Sequence, residues 1–463
     1  MKFPVLVIGG GLSGLAAAIR IARFSPAVLL LEKHSRLGGL NSYFYRRKKL
    51  YETGLHAITN YAEPENKKAP LNLLLRQLKI KRKALSFCQQ NQSKIIFSNR
   101  QTLTFTNNFE TFRQDVHEKF PGSIDSFTRL LNFLDEYDPF TIKPFRSTRL
   151  FLAEMLEDPL LTEMILCPLL YYGSGYEDDM DLSQFAIMFA SVYQQGFFRP
   201  EGTIRDFLEM LTSQLESLGG QVRKQCGVAR IVTEGKKALS VVLESGEEIE
   251  CDQVISTIGY QETLGLLGNS PTNNDSPSGR LGFVESIFSR RTDDADKNRP
   301  TDTIIFYNNG GRLSYRSPDD YIDLNSGVIC FPQNFNGIKP DGTMEIRTTH
   351  LADYDSWKDI SRHPDKYLKQ KQNCAITSLH TMKKLLGCAI DNIVVENTFT
   401  PVTIERYTSK IRGALYGAPT KIKSGDIGYN NLFLAGTDQG FLGIIGSMLS
   451  GVTIVNHHVL PKL

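Results

Sequence analysis

Val5-Leu6-Val7-Ile8, Gly9-Gly10-Gly11-Leu12-Ser13-Gly14 and Leu15-Ala16-Ala17-Ala18-Ile19-Arg20 follow one another without a break near the start of the chain. They read as a buried strand, a glycine turn and an alanine-rich helix. Val28-Leu29-Leu30-Leu31 comes next as a second apolar strand and stops at Glu32. In that order the pieces make a dinucleotide-binding strand–turn–helix–strand unit. Gly9 permits the tight turn, Gly11 lets backbone approach a pyrophosphate, and Gly14 with Ala18 lets the helix lie close on the sheet. Leu12 and Ser13 open the helix, where free N–H groups and a partial positive charge suit phosphate. Glu32 stands where a carboxylate accepts hydrogen bonds from ribose hydroxyls, and an acid there disfavours a 2′-phosphate. NAD and FAD therefore remain, and NADP is disfavoured.

Working outward, Glu32-Lys33-His34-Ser35-Arg36-Leu37-Gly38-Gly39-Leu40-Asn41 carries a second glycine pair, which suits a backbone passing close to a flavin and its phosphates. Arg36 offers a counter-charge. With the fingerprint, this stretch resembles the FAD-binding opening of the flavin amine oxidase and phytoene desaturase superfamily. The resemblance implies FAD as cofactor, with Lys33, Gly38, Gly39, Leu40 and Asn41 beside it. Near the other end, Asn431-Leu432-Phe433-Leu434-Ala435-Gly436-Thr437-Asp438 leads into the glycine-rich helical segment 441–455. By the same resemblance this is the closing FAD motif: Gly436 and Asp438 meet the ribityl-phosphate region, and a helix containing Gly446 backs the flavin ring. The apolar segment is too rich in Gly and Ser, and too short, to read as a membrane span. Mid-chain, residues 219–257 alternate as a hairpin followed by a buried strand, and the resemblance lets Val228 lend its backbone to the adenine.

Further strings narrow the branch. Tyr51-Glu52-Thr53-Gly54-Leu55-His56, Pro200-Glu201-Gly202-Thr203, and above all Thr400-Pro401-Val402-Thr403-Ile404-Glu405-Arg406-Tyr407 with Gly413-Ala414-Leu415-Tyr416-Gly417 are similar to the carotenoid isomerase, retinol saturase and phytoene desaturase branch. The fold expected is α/β: a Rossmann-like FAD-binding domain (1–70, 200–265, 400–463) with an interleaved α+β substrate domain (71–199, 266–399). In the latter, 71–199 is rich in helical periodicity, with apolar runs separated by Pro159 and Pro168, and 281–350 turns to strands. Residues 269–279 read as a flexible loop.

The 463 residues suffice for two real cores. Lys and Arg number 53 against 50 Asp and Glu, too balanced a charge to argue for a nucleic-acid partner. Seven scattered cysteines without a CxxC spacing read as reduced thiols of a cytoplasmic protein, and no metal cluster is expected. The first apolar run belongs to the fingerprint, so no secretory leader is expected. The resemblance implies an enzyme acting on a C–C or C=C bond of a long apolar isoprenoid or polyene, by desaturation, saturation or isomerisation. His56 is the candidate polar group at the flavin edge, and Tyr416 borders the same cavity. Glu405 and Arg406 form a candidate pair, acid–base or structural. Delivery of such a substrate implies peripheral membrane contact, for which the basic runs 46–49 and 79–83 are candidates. Two other readings share the fold: a flavin amine or porphyrinogen oxidase, and a non-catalytic prenyl-binding escort protein.

Overall fold

The computed structural model describes residues 2–54, 57–268, 278–291, 300–339, 341–387 and 392–463. Leu55, His56, Cys388 and residues 269–277, most of the stretch expected to be a loop, lie outside the described residues.

The opening strand Lys2–Ile8 pairs in parallel with Val28–Leu31 on one side and Glu248–Ser256 on the other. Gln221–Arg223 extends the sheet past Val28–Leu31, and Leu432–Leu434 adds in parallel to the end of Glu248–Ser256. The hairpin Val228–Glu234 and Lys237–Leu243 completes it in antiparallel fashion. Every residue of Val28–Leu31 is buried, as a parallel strand covered on both faces requires. One face packs on the fingerprint helix Leu12–Ala22, helix Ile204–Ser217 and the closing helix Gly443–Ile454. A Cβ at Gly451 would lie 2.2 Å from the Ser13 carbonyl oxygen, so the closing helix rides directly on the fingerprint helix. With its continuation to Lys462 this helix is long and apolar enough to cross a bilayer, yet half of it is buried in the protein.

A second sheet runs in the order Val394–Phe399, Gly282–Arg291, Thr343–Ala352, Ser326–Cys330, Ile304–Asn308, Ser93–Phe97, Thr102–Phe105. All its pairs are antiparallel except Ile304–Asn308 with Ser93–Phe97. Helices between 109 and 189 cover one face in a large aromatic core, and helix Pro364–Leu386 covers the other. Two features depart from expectation. Strands 93–97 and 102–105 come from a stretch read as helical. Pro168 does not separate two runs but sits inside helix Pro159–Gly173. A proline inside a helix costs about 3 kcal/mol; burial of nearly the whole helix circumference outweighs it.

The described cysteines are free thiols, and burial pushes those of Cys251, Cys330 and Cys374 up to about 12, so they pack as inert apolar groups.

Candidate active site

Gly9 has φ +103° and donates its N–H to the Leu31 carbonyl at 2.9 Å, turning the chain at the end of the first strand. A Cβ at Gly14 would sit 1.9 Å from the Gly9 carbonyl oxygen, so helix and turn touch there. Glu32 is buried, and its two oxygens accept the backbone N–H groups of Gly10 (2.7 Å) and His34 (2.8 Å). The second glycine pair closes on the first turn. Gly38, at φ +110°, donates to the Gly10 carbonyl at 2.9 Å, and a Cβ at Gly39 would lie 3.4 Å from the Gly11 Cα. Gly11 itself faces open space, with nothing within 4 Å of a built Cβ. The first helical turn lacks a side-chain cap, and among the described residues the buried Ser13 Oγ and His34 Nε2 have no hydrogen-bond partner.

Gly39, whose built Cβ approaches Gly11, lines a cavity of about 870 Å³. It starts at Glu32, His34, Ser35 and Arg36, and passes Gly39, Leu40 and Asn41. Thr437 and the uncapped start of the closing helix (Gly443, Ile444, Ser447) also line it. Tyr171, Tyr172, Phe283, Val328, Leu415 and Tyr416 make an aromatic and aliphatic wall. Lys33 points outward to Glu244 at 2.9 Å, while His34 turns inward with its ring 5.9 Å from that of Tyr407.

A profile described as flavin containing amine oxidoreductase matches residues 12–277, more than half of the chain. The protein belongs to that family. The chain is 22% identical to prolycopene isomerase 1, chloroplastic, of an Oncidium hybrid cultivar, over all of this chain and 84% of that one. It is 23% identical to the all-trans-retinol 13,14-reductase of Danio rerio, over 98% and 86%. These relatives bear out the branch that the sequence resembles. An oxidoreductase from Methanosarcina mazei has the same fold, with TM-score 0.67 at 13% identity over 98% of this chain and all of that one.

This family member is an FAD-dependent oxidoreductase. The residues present fit the cofactor: backbone is open at Gly11, the buried Ser13 hydroxyl has no partner among the described residues and the helix start is uncapped, and a pyrophosphate needs such donors. Gly9 and Gly14 shape that turn, and Leu12, 3% exposed, contributes backbone only. Gly38, Gly39, Leu40 and Asn41 would hold the adjoining stretch.

Other expected positions are corrected by their surroundings. Lys33 is spent on its surface ion pair, because side chains alternate at the end of an extended strand. Val228 starts a strand that is tied in two residues earlier beside Glu32, where Cys226 N–H donates to the Glu32 carbonyl at 2.8 Å. Asp438 does not face the cavity either. Its Oδ2 accepts the Tyr260 N–H (2.8 Å) and lies 3.4 Å from Lys410 Nζ, and its Oδ1 accepts the Ala418 N–H (2.9 Å). Burial would raise this carboxyl, but Lys410, Lys421 and the backbone donors outweigh it and hold it below the usual carboxylate range. Asp438 is a brace, and its neighbour Thr437 is the wall residue. Gly436, at φ +95°, donates to Ser450 Oγ at 2.7 Å and packs beside Ser13. Gly446 lies in the closing helix against Phe441. Tyr416 lines the cavity, but its hydroxyl donates to the Tyr171 carbonyl and burial raises its pKa well above the ordinary phenol value. Lys421 donates to the Tyr416 carbonyl at 2.6 Å; burial lowers its pKa to about 8. His56 lies outside the described residues.

Glu405 and Arg406 are not a pair. Glu405 binds Tyr354 Oη (2.8 Å) and Lys358 Nζ (2.6 Å), whereas Arg406 turns to the cavity. Glu52, from another quoted string, accepts from Arg199 and from the Ile204 N–H (2.7 Å), locking the 51–54 turn to the start of helix Ile204–Ser217. His34, Tyr407 and Thr437 are cavity residues that sequence reasoning missed. Strand alternation, Glu32 in and Lys33 out, carries the signal for His34.

Proposed function

We propose that the protein uses FAD to oxidise, reduce or isomerise a C–C or C=C bond in a long apolar isoprenoid or polyene. The observation that carries this reading is the wall beyond the nucleotide end, built from Tyr171, Tyr172, Phe283, Val328, Leu415 and Tyr416. A hydrocarbon offers no charged handle, so its binding rests on apolar burial, about 25 cal/mol per Å². The polar groups on this wall are largely committed. Glu285 lies 3.3 Å from the buried Arg347, and the Tyr416 hydroxyl is held by a carbonyl. Tyr172 Oη is buried without a hydrogen-bond partner among the described residues, which leaves it free to meet a bound molecule. Bound FAD supplies hydride exchange; the chain's own residues orient an apolar substrate and keep water out. The relatives named for prolycopene and retinol support a polyene of that kind.

The test is a visible spectrum of purified protein, followed by anaerobic incubation of its oxidised and reduced forms with carotenoids, retinoids and squalene-type lipids. Flavin bands and a changed polyene are expected. A folded protein that takes up no FAD overturns the reading and leaves the escort role. Turnover of amines or porphyrinogens with inert polyenes assigns the oxidase role instead.

A further inference from the structure

Helix Ile124–Glu136 and helix Thr148–Leu156 are joined by a loop whose apolar side chains face outward. Phe140, Ile142 and Phe145 are 68%, 66% and 48% exposed, and Leu150, in the first turn of the next helix, is 67% exposed. Single exposed apolar residues are ordinary, but four within eleven positions concentrate exposed apolar surface on one loop and the helix start after it, as an interaction surface does. The loop is also held in shape. Asp138 Oδ1 accepts the Phe140 N–H at 2.9 Å, and Lys143 Nζ donates to the Asp138 carbonyl at 2.7 Å while lying 3.8 Å from the Tyr137 ring centroid. From Pro139 to Ala153 the chain carries Lys143, Arg146 and Arg149 and no Asp or Glu. Arg149 is taken by Glu163, which leaves Lys143 and Arg146 as the cations among the apolar side chains, while exposed Asp138 before them is turned onto the loop backbone and exposed Glu154 follows one turn after Leu150.

The patch sits on segments that carry the cavity wall. The Phe140 ring is 6.4 Å from that of Phe441, two residues before the wall residue Gly443. The Phe145 ring is 4.6 Å from that of Tyr176, shortly after the wall residues Tyr171 and Tyr172.

We propose that residues 138–150 dock the protein on an anionic lipid bilayer, with Phe140, Ile142, Phe145 and Leu150 entering the acyl boundary and Lys143 and Arg146 meeting the headgroups. Apolar side chains with Lys143 and Arg146 interleaved among them match that surface in both chemistry and charge. This inference stands on the surface alone and does not depend on the reaction proposed above. It differs from an assignment to the basic runs 46–49 and 79–83, which lack such an apolar cluster.

The chain has a single tryptophan, Trp357, and it is fully buried, so Phe140→Trp adds a clean reporter. Brominated phosphatidylcholine–phosphatidylglycerol vesicles are expected to quench the added fluorophore and leave Trp357 bright. In flotation, Ile142→Glu with Phe145→Glu is expected to weaken vesicle binding by about tenfold or more, since burying one such side chain already contributes that much. Melting temperature and flavin content are expected to stay at the wild-type values. Vesicle binding with an unquenched Phe140→Trp overturns the proposal. So does binding that survives the double substitution but is lost when 46–49 or 79–83 is neutralised. A dimer in light scattering that the double substitution dissolves, with no vesicle binding, assigns the patch to a second copy. Absence of flavin would overturn the proposed reaction and leave the vesicle result standing.

Discussion

A Cβ at Gly14 meets the Gly9 carbonyl oxygen at 1.9 Å, whereas one at Gly11 meets nothing within 4 Å. Gly11 also has φ −70°, which alanine adopts freely. The two substitutions should therefore fail differently. Gly14→Ala must separate helix from turn, at a cost of about 1–3 kcal/mol, and should lower the melting temperature even without cofactor. Gly11→Ala should keep or slightly raise apoprotein stability, through a less flexible unfolded chain. It should nevertheless weaken FAD binding by about a hundredfold, because the methyl fills the cradle that backbone must leave open. Flavin titration and calorimetry of both apoproteins check this; equal flavin affinity in Gly11→Ala and wild type would show that the cradle is not the pyrophosphate site. These two glycines, Glu32 and the pair Gly38-Gly39 were legible in the sequence, because their roles come from backbone geometry within a short span. Asp438 was not. Its partners Tyr260, Lys410 and Ala418 arrive by tertiary folding, and nothing in the local string separates a brace from a ligand contact.

Elements were legible where periodicity is long and illegible where pairing decides. Ser93–Phe97 and Thr102–Phe105 are short; the first becomes a strand because Ile304–Asn308, far along the chain, offers it an edge, and the second pairs onto the first. The strand Thr343–Ala352 was readable, yet its link to helix Pro364–Leu386 was not. His350 is fully enclosed there: Nε2 lies 2.7 Å from Ser378 Oγ, and Nδ1 lies 3.2 Å from the Ser326 carbonyl and 3.3 Å from Tyr307 Oη. Burial lowers its pKa below 6.5, against the opposing pull of the Ser326 carbonyl and Asp323. The unfolded chain thus binds a proton that the folded one refuses, so this histidine costs nothing above pH 6.5 and stability falls as pH drops below it. Urea unfolding between pH 7 and 5 should show a steeper loss of stability with falling pH in the wild type than in His350→Gln, the difference being at most one proton's slope, about 1.4 kcal/mol per pH unit. Identical slopes in the two proteins would place the acid sensitivity elsewhere.

At the scale of the molecule, one cavity is walled by residues 32–54, by the second sheet, by helix Pro401–Thr408 and by the start of the closing helix. The first-sheet core beneath it closes without help: Val5, Leu6 and Val7 are fully buried by neighbouring strands and helices. The wall segments are less self-sufficient. Arg406 and Tyr407 face the cavity, and only Pro401 of their helix is buried. Ligand binding at a thousand times its Kd stabilises by about 4 kcal/mol, and the segments that gain contacts are the ones that should carry that protection. Removing FAD should therefore raise amide hydrogen exchange in 401–408 and in the first turn of 443–454. Exchange in strand Lys2–Ile8 should stay as slow as global unfolding allows. A uniform rise across all these segments would mean that the first sheet does not fold independently of its cofactor. A rise in Lys2–Ile8 alone would mean that the cavity has been assigned to the wrong part of the chain.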